Sequence, residues 1–184
     1  LVTLFDTRVP TAYTHSQYFS RLACAIGQEM GLDEKSIQSL KFASLLHDAG
    51  KVEIPLEILT KQAKLTPEEF TIIKKHPLKG AQILKHLEAL RPAIPIILHH
   101  HEKFDGSGYP AGLAGRDIPI FSRIVAVADV FEAMTSERPY KKAWSLEAAV
   151  DFLVEGSGKH FDPDCVKAFL AAWDEVLDIR NRFQ

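Results

Sequence analysis

A chain of 184 residues, 46% hydrophobic and 25% charged, carries enough apolar material for one domain with a full core, which excludes a disordered or fibrous class. Its formal net charge of −2 argues against a protein that coats DNA or RNA, yet leaves room for one small anionic ligand. No apolar run approaches the roughly 18 residues that span a bilayer, and no charged-then-apolar leader precedes a cleavage site.

Helical periodicity governs most of the chain, with no internal repeat and no Gly/Ser linker. In the first predicted helix His15, Tyr18/Phe19, Leu22 and Ile26 form one stripe, so His15 lies on the inward face. Gly31 ends that helix and Asp33 caps the next. Leu40, Ala43 and Ser44 then lead at helical spacing to His47-Asp48-Ala49-Gly50-Lys51, where Gly50 offers a helix stop. A carboxylate at the buried end of an apolar run needs a partner, and a cation serves: imidazole suits transition metals and one carboxylate can bridge two of them. The competing reading is a hydrogen-bonded histidine and an aspartate that caps the following turn. Cys24 and Cys165 sit inside helical patterns, as core thiols of a reducing cytoplasm do.

Residues 52–64 read as a turn and a short helix. Thr66-Pro67-Glu68-Glu69 is a complete helix start with a capping box, and that helix reaches about Lys75, where His76-Pro77 restarts the chain. Gly80, Ile83, Leu84 and Leu87 mark the next helix; His76, at the break, has room to be a ligand, and His86 reads as surface. An apolar run from Pro92 delivers His99-His100-His101-Glu102. Three successive histidines on a helix point about 100° apart, so they cannot all grip one ion; two of them fit neighbouring metals, or one a metal and one a substrate.

The stretch Phe104-Asp105-Gly106-Ser107-Gly108-Tyr109-Pro110 is a Gly-rich loop that fits neither a Rossmann nor a P-loop pattern. Gly106 and Gly108 would let backbone approach a ligand and Tyr109 could stack on a base, unless the loop is a structural turn. Pro119–Met134 reads as a buried helix interrupted by Asp129, an aspartate placed to be paired or metal-bound. The basic loop Ser136-Glu137-Arg138-Pro139-Tyr140-Lys141-Lys142 suits phosphate oxygens, or is a solvated charge run. Ser145 starts another helix, His160 sits in a structural turn, and Asp162-Pro163 starts one last helix with Val166, Phe169/Leu170, Trp173 and Val176/Leu177 inward.

The inward helix faces and helix ends thus collect His15, His47, Asp48, His76, His100, His101 and Asp129. That is too many ligands for one metal, and suits a pair sharing a carboxylate, the usual apparatus for phosphoester hydrolysis. The absence of cysteine argues against a structural zinc site.

The signatures His47–Lys51, His100–Pro110 and Ala128–Tyr140 closely resemble the HD-GYP domain, the bacterial cyclic di-GMP phosphodiesterase branch of the HD superfamily. The resemblance implies an all-α, single-domain helical bundle over residues 1–184, in a fragment that once followed a receiver or sensor module. It implies the same seven metal ligands, Lys51 assisting at the scissile phosphate beside Asp48, and Arg138 and Lys141 holding ligand phosphates. It implies two divalent ions, iron or manganese ahead of nickel or zinc. The expected substrate is cyclic di-GMP, opened to pGpG or on to GMP, with GGDEF-type or other regulatory proteins as partners. Thr11 stands where some members place a glutamate for a third metal, and Glu132 where aspartate is common. Two other functions fit the pattern: an HD phosphohydrolase for another nucleotide, and a catalytically weak binding module that signals through cyclic di-GMP or protein contacts.

Overall fold

The helix-start signals read from the sequence are used as written. In this computed structural model, which describes residues 12–137 and 142–183, Asp33 accepts from Ser36 N and Ser145 from Ala148 N. Thr66 and Glu69 close a reciprocal capping box with Pro67 in the first turn, satisfying amide groups that a helix leaves orphaned at its start. The helices are α1 (Ala12–Glu29), α2 (Glu34–Leu46), α3 (Leu56–Leu59), α4 (Pro67–Ile73), α5 (His76–Leu84), α6 (Ile94–His99), α7 (Ile120–Thr135), α8 (Leu146–Glu155), α9 (Pro163–Ala171) and α10 (Trp173–Phe183). Short 3-10 turns occupy Ala49–Glu53, Glu88–Ala93 and Gly115–Asp117. Among the described residues there is no β-strand, only an isolated bridge between Ser157 and Phe161, so the chain is all-α.

The long apolar helix α7 is the spine, burying Ile124, Val125, Val127, Ala128 and Phe131. Helix α1 packs against it with Phe19, Leu22 and Ile26, and also meets α2, α9 and α10. Burial of each such large side chain stabilises the fold by about 1.5–3 kcal/mol, so the bundle rests on this pair. Helix α5 lies against α6 and against the 3-10 turn at Ala49–Glu53, which carries the residues after His47. Arg123 of α7 ties the far end to Asp162, the buried N-cap of α9, and also donates to Ile118 O at 2.9 Å.

Three expectations need correction. The last helix is two, α9 and α10, joined through a turn at Ala172, and only the narrow face with Val166 and Phe169 turns inward before it; Leu170 is 40% exposed. Helix α5 ends at Leu84, which leaves Leu87 48% exposed beyond the packed face. Gly50 is not a helix stop: α2 already ends at Leu46, and Gly50 serves a close approach described below. Both cysteines are free thiols, Cys165 buried and Cys24 half-buried.

Candidate metal centre

Three helix termini place the histidines. His47 follows the last residue of α2, His76 opens α5 directly behind α4, and His100 follows the last residue of α6. A helix leaves its last four carbonyls without intrahelical donors. Each imidazole turns back on one of them: Nδ1 lies 2.6 Å from Ser44 O in His47, 2.8 Å from Ile73 O in His76 and 2.6 Å from Ile97 O in His100. A carbonyl only accepts, so Nδ1 carries the proton and Nε2 carries the lone pair. This backbone contact assigns the free atom of all three rings.

Those free atoms converge. His76 Nε2 lies 3.2 Å from His100 Nε2, and the ligand atoms of His76, His100 and His101 all fall within 4.8 Å of one another. Asp48 stands between two groups: Oδ1 is 3.2 Å from His76 Nε2, while Oδ2 is 3.4 Å from His47 Nε2. Asp129 Oδ1, from α7, is 4.0 Å from that same His47 nitrogen. His47, His76 and His100 form a buried floor, and Asp48, Lys51 and Asp129 keep 23%, 28% and 28% of their side-chain surface at the rim. Two nitrogens that share a cation at about 2.1 Å stand about 3.0–3.4 Å apart, and the His76–His100 pair fits that interval. Two lone pairs facing each other at such a distance repel unless a positive charge lies between them.

Electrostatics agree with this division. Burial pushes the Asp48 carboxyl up, but Lys51 and His47 outweigh it and hold it well below the usual carboxylate range. Lys51 Nζ is 2.6 Å from Asp48 Oδ2. Burial, reinforced by the neighbouring imidazoles, keeps His100 far below the ordinary histidine value and His101 at about 3, so both are neutral donors at pH 7. His47 is raised despite its burial because Asp48 and Asp129 face it. Burial raises Asp129. The reading of Asp48 as a turn cap does not hold, since its side chain makes no capping bond.

Gly50 and the Gly-rich loop set these positions. A Cβ on Gly50 would lie 1.9 Å from His76 O and 2.5 Å from Gly80 N, so the backbone after Asp48 lies directly on the start of α5. A Cβ on Gly108 would lie 2.3 Å from Lys103 N, and Gly106 has φ +83°. The glycines of this loop therefore answer to the loop's own backbone. Buried Glu102 organises it, accepting from Ala111 N at 2.8 Å and Leu113 N at 3.1 Å. The Tyr109 ring stacks on His101, with centroids 4.9 Å apart and planes 25° from parallel.

Of the expected ligands, His47, Asp48, His76, His100, His101 and Asp129 share this centre. His15 is oriented from beside it, its Nδ1 2.7 Å from Oε1 of buried Glu132, which stands one turn along α7 from Asp129. As the helix geometry requires, the three successive histidines do not all face one point: His100 and His101 come together, their rings 4.1 Å apart, just past the end of α6 at His99. His99 turns away toward Glu102 at 3.4 Å. Arg138, Lys141 and Thr11 lie outside the described residues. Sequence reasoning passed over the support roles of Glu132 and Glu102. The spacing of Glu132, three residues after Asp129 on one helix face, was the available signal.

The HD domain family profile matches residues 1–165. A cyclic di-GMP phosphodiesterase of Thermotoga maritima is 44% identical over 181 residues, covering 97% of this chain and 49% of that protein. The 3'3'-cGAMP-specific phosphodiesterase 2 of Vibrio cholerae is 45% identical over 152 residues, covering 82% of this chain and 29% of that protein. The chain thus spans half or less of the length of these curated relatives. A solved HDG"Y"P protein from Bdellovibrio bacteriovorus matches with a TM-score of 0.69 at 29% identity, over 86% of this chain and 51% of that one.

Proposed function

This chain belongs to the HD domain family, in its HD-GYP branch, and from that premise we propose that it is a metal-dependent phosphodiesterase opening cyclic di-GMP to pGpG, with GMP as a slower further product. One observation carries the reading: Asp48 turns one oxygen toward His76 and the other toward His47, across a cluster whose Nε2 lone pairs face inward. His47, Asp48, His76, His100, His101 and Asp129 would hold two divalent cations, with iron or manganese expected from the family and a nitrogen–oxygen set open to nickel or zinc. Such ions, when bound, polarise phosphoryl oxygens and make water nucleophilic at neutral pH.

The chain's own residues hold and complete that arrangement. The carbonyls of Ser44, Ile73 and Ile97 lock the rings, and Glu132 orients His15 as a further ligand. Lys51, at the rim, offers an ammonium to the charge that develops on the scissile phosphate, and Asp48 keeps it there. Tyr109 steadies His101. Gly106 and Gly108 keep the loop under the substrate. Arg138 and Lys141 take the substrate's phosphates, arginine by its fork and lysine as a point charge. Residues 1–184 act as the catalytic unit of a longer cytoplasmic signalling protein, with GGDEF-type or other regulatory domains as partners.

The similarity to the 3'3'-cGAMP-specific relative favours a second reading, in which the mixed dinucleotide is the preferred substrate. Both are tested by anaerobic purification, elemental analysis, and chromatography of products from cyclic di-GMP and 3'3'-cGAMP supplied together. Two ions per chain, pGpG ahead of GMP, and faster loss of cyclic di-GMP are expected. Asp48→Ala should abolish both metal binding and turnover while the helical signal persists. A chelated protein that still hydrolyses, or an Asp48→Ala variant that keeps its metals, ends the proposal.

A further inference from the structure

His101 is held differently from the other histidines of the centre. His47, His76 and His100 each fix their ring by Nδ1 against a backbone carbonyl, whereas among the described residues no hydrogen bond reaches the His101 ring. A metal-ligating imidazole is ordinarily oriented by such a bond on its second nitrogen, so His101 needs another support. Tyr109 covers its face, and Tyr109 N donates to His101 O at 3.2 Å. Ring stacking is less directional than a hydrogen bond, so it aims His101 only if Tyr109 is itself held in place.

Lys74 follows the last residue of α4 and stands two positions before His76. Its Nζ lies 5.4 Å from the Tyr109 ring centroid and 4.9 Å from that of Phe70, one helical turn earlier. Both distances fall inside the roughly 6 Å over which a ring face attracts a cation. Lys61 and Lys79 pair with Glu69 and Glu53, but Lys74 makes no ion pair among the described residues, so its partners are the two rings. Phe70 is 45% exposed on α4, which buries none of its residues, so core packing does not account for an aromatic side chain there. We propose, on the metal reading above, that Lys74 is a positioning residue: its ammonium, gripped between Phe70 and Tyr109, fixes the tyrosine ring on His101 and so aims His101 at the metal. The same contact ties the turn that carries His76 to the loop that carries Tyr109. The His76 and His101 rings meet edge to face at 5.0 Å, so the clamp sets the spacing of two ligands at once.

The sign of the effect separates this role from plain electrostatics. A lysine beside a cation site repels the metal, so removing its charge would by that route tighten binding, whereas loss of a positioning contact weakens it. The test titrates manganese into the metal-free protein by calorimetry. Lys74→Gln should weaken the affinity of one of the two ions by about threefold to tenfold, the scale of a partly exposed cation–π contact. Turnover lost at limiting manganese should return at saturating manganese, which a general loosening of the fold would not allow. Lys74→Arg keeps a cation over the rings and should recover most of the affinity. Lys75→Gln removes an equal charge from the next, exposed position and should not weaken binding. In a Tyr109→Leu background, Lys74→Gln should add no further loss, because the link to His101 is already gone. Equal or tighter binding in Lys74→Gln overturns the proposal, as does a loss that Lys74→Arg does not reduce, or one of the same size in the Tyr109→Leu background. If Tyr109→Leu does not fold, the first two results decide. Should the wild type bind no manganese, the metal reading fails by itself, and NMR of the metal-free protein decides this one. There the Overhauser contacts between the Tyr109 and His101 rings should weaken in Lys74→Gln, and unchanged contacts overturn the clamp.

Discussion

Gly50→Ala adds one methyl group and should disable the centre without touching a ligand. The new Cβ would lie 1.9 Å from His76 O and 2.5 Å from Gly80 N, whereas real Cβ contacts do not fall under 3.0 Å. Both neighbours are backbone, so no side chain can rotate aside, and the turn must move off α5 by about 1 Å. Overpacking of this kind costs about 1–3 kcal/mol, and each kcal/mol lowers Tm by about 2–4 °C in a domain of this size. The same movement stretches the 3.2 Å separation of Asp48 and His76. Misplacing a metal site's support weakens affinity by about 10–100-fold, which removes about 1.4–2.7 kcal/mol of metal-linked stabilisation. Thermal unfolding with and without saturating manganese reads both effects: metal-free Tm falls, and the increment on adding metal shrinks. Gly31→Ala is the control, since Gly31 has φ +77° but nothing within 4 Å; it should lower Tm and leave the metal increment intact. A Gly50→Ala protein with the wild-type increment would refute the argument that this close approach positions Asp48.

Glu102→Gln should loosen the loop over 103–113, because an amide nitrogen placed opposite Ala111 N or Leu113 N sets donor against donor, at a cost of about 1.5–3 kcal/mol; unchanged hydrogen-exchange protection of those amides would count against it. His160, held at about 4 by burial against an ordinary 6.5, should make the metal-free protein lose stability as pH falls from 6.5 toward 4, since there the unfolded chain binds a proton that the folded one does not. The slope from this residue is at most about 1.4 kcal/mol per pH unit, and urea midpoints should show His160→Gln to be shallower; equal slopes would remove His160 from the account. Arg123→Ala should cost about 3–5 kcal/mol by leaving buried Asp162 unpaired, with part recovered in the Arg123→Ala/Asp162→Asn double variant, and additive losses in chemical denaturation would show that the two do not act as a pair.

The sequence by itself determined the helical starts and which imidazoles and carboxylates are candidates to come together. Asp33, Thr66, Ser145 and Asp162 act within about one turn of their own position, so their capping could be read locally. Six of the seven anticipated ligands converge for a related reason: an imidazole or carboxylate carried inward by an apolar stripe has few stable fates other than a shared cation. What the sequence could not supply were relations between distant segments. Gly50 looked like a helix stop because its close neighbour, His76 O, lies 26 positions away in the chain. That the loop of Tyr109 closes on Glu102 and His101 is a second such relation. Which two of the three successive histidines face the centre was likewise open, because it depends on where α6 ends and on the turn that follows His99. Which residues carry the chemistry is a matter of type and period, written locally. How far apart they stand depends on how α5, α6 and α7 pack, and packing is summed over contacts that no short stretch contains.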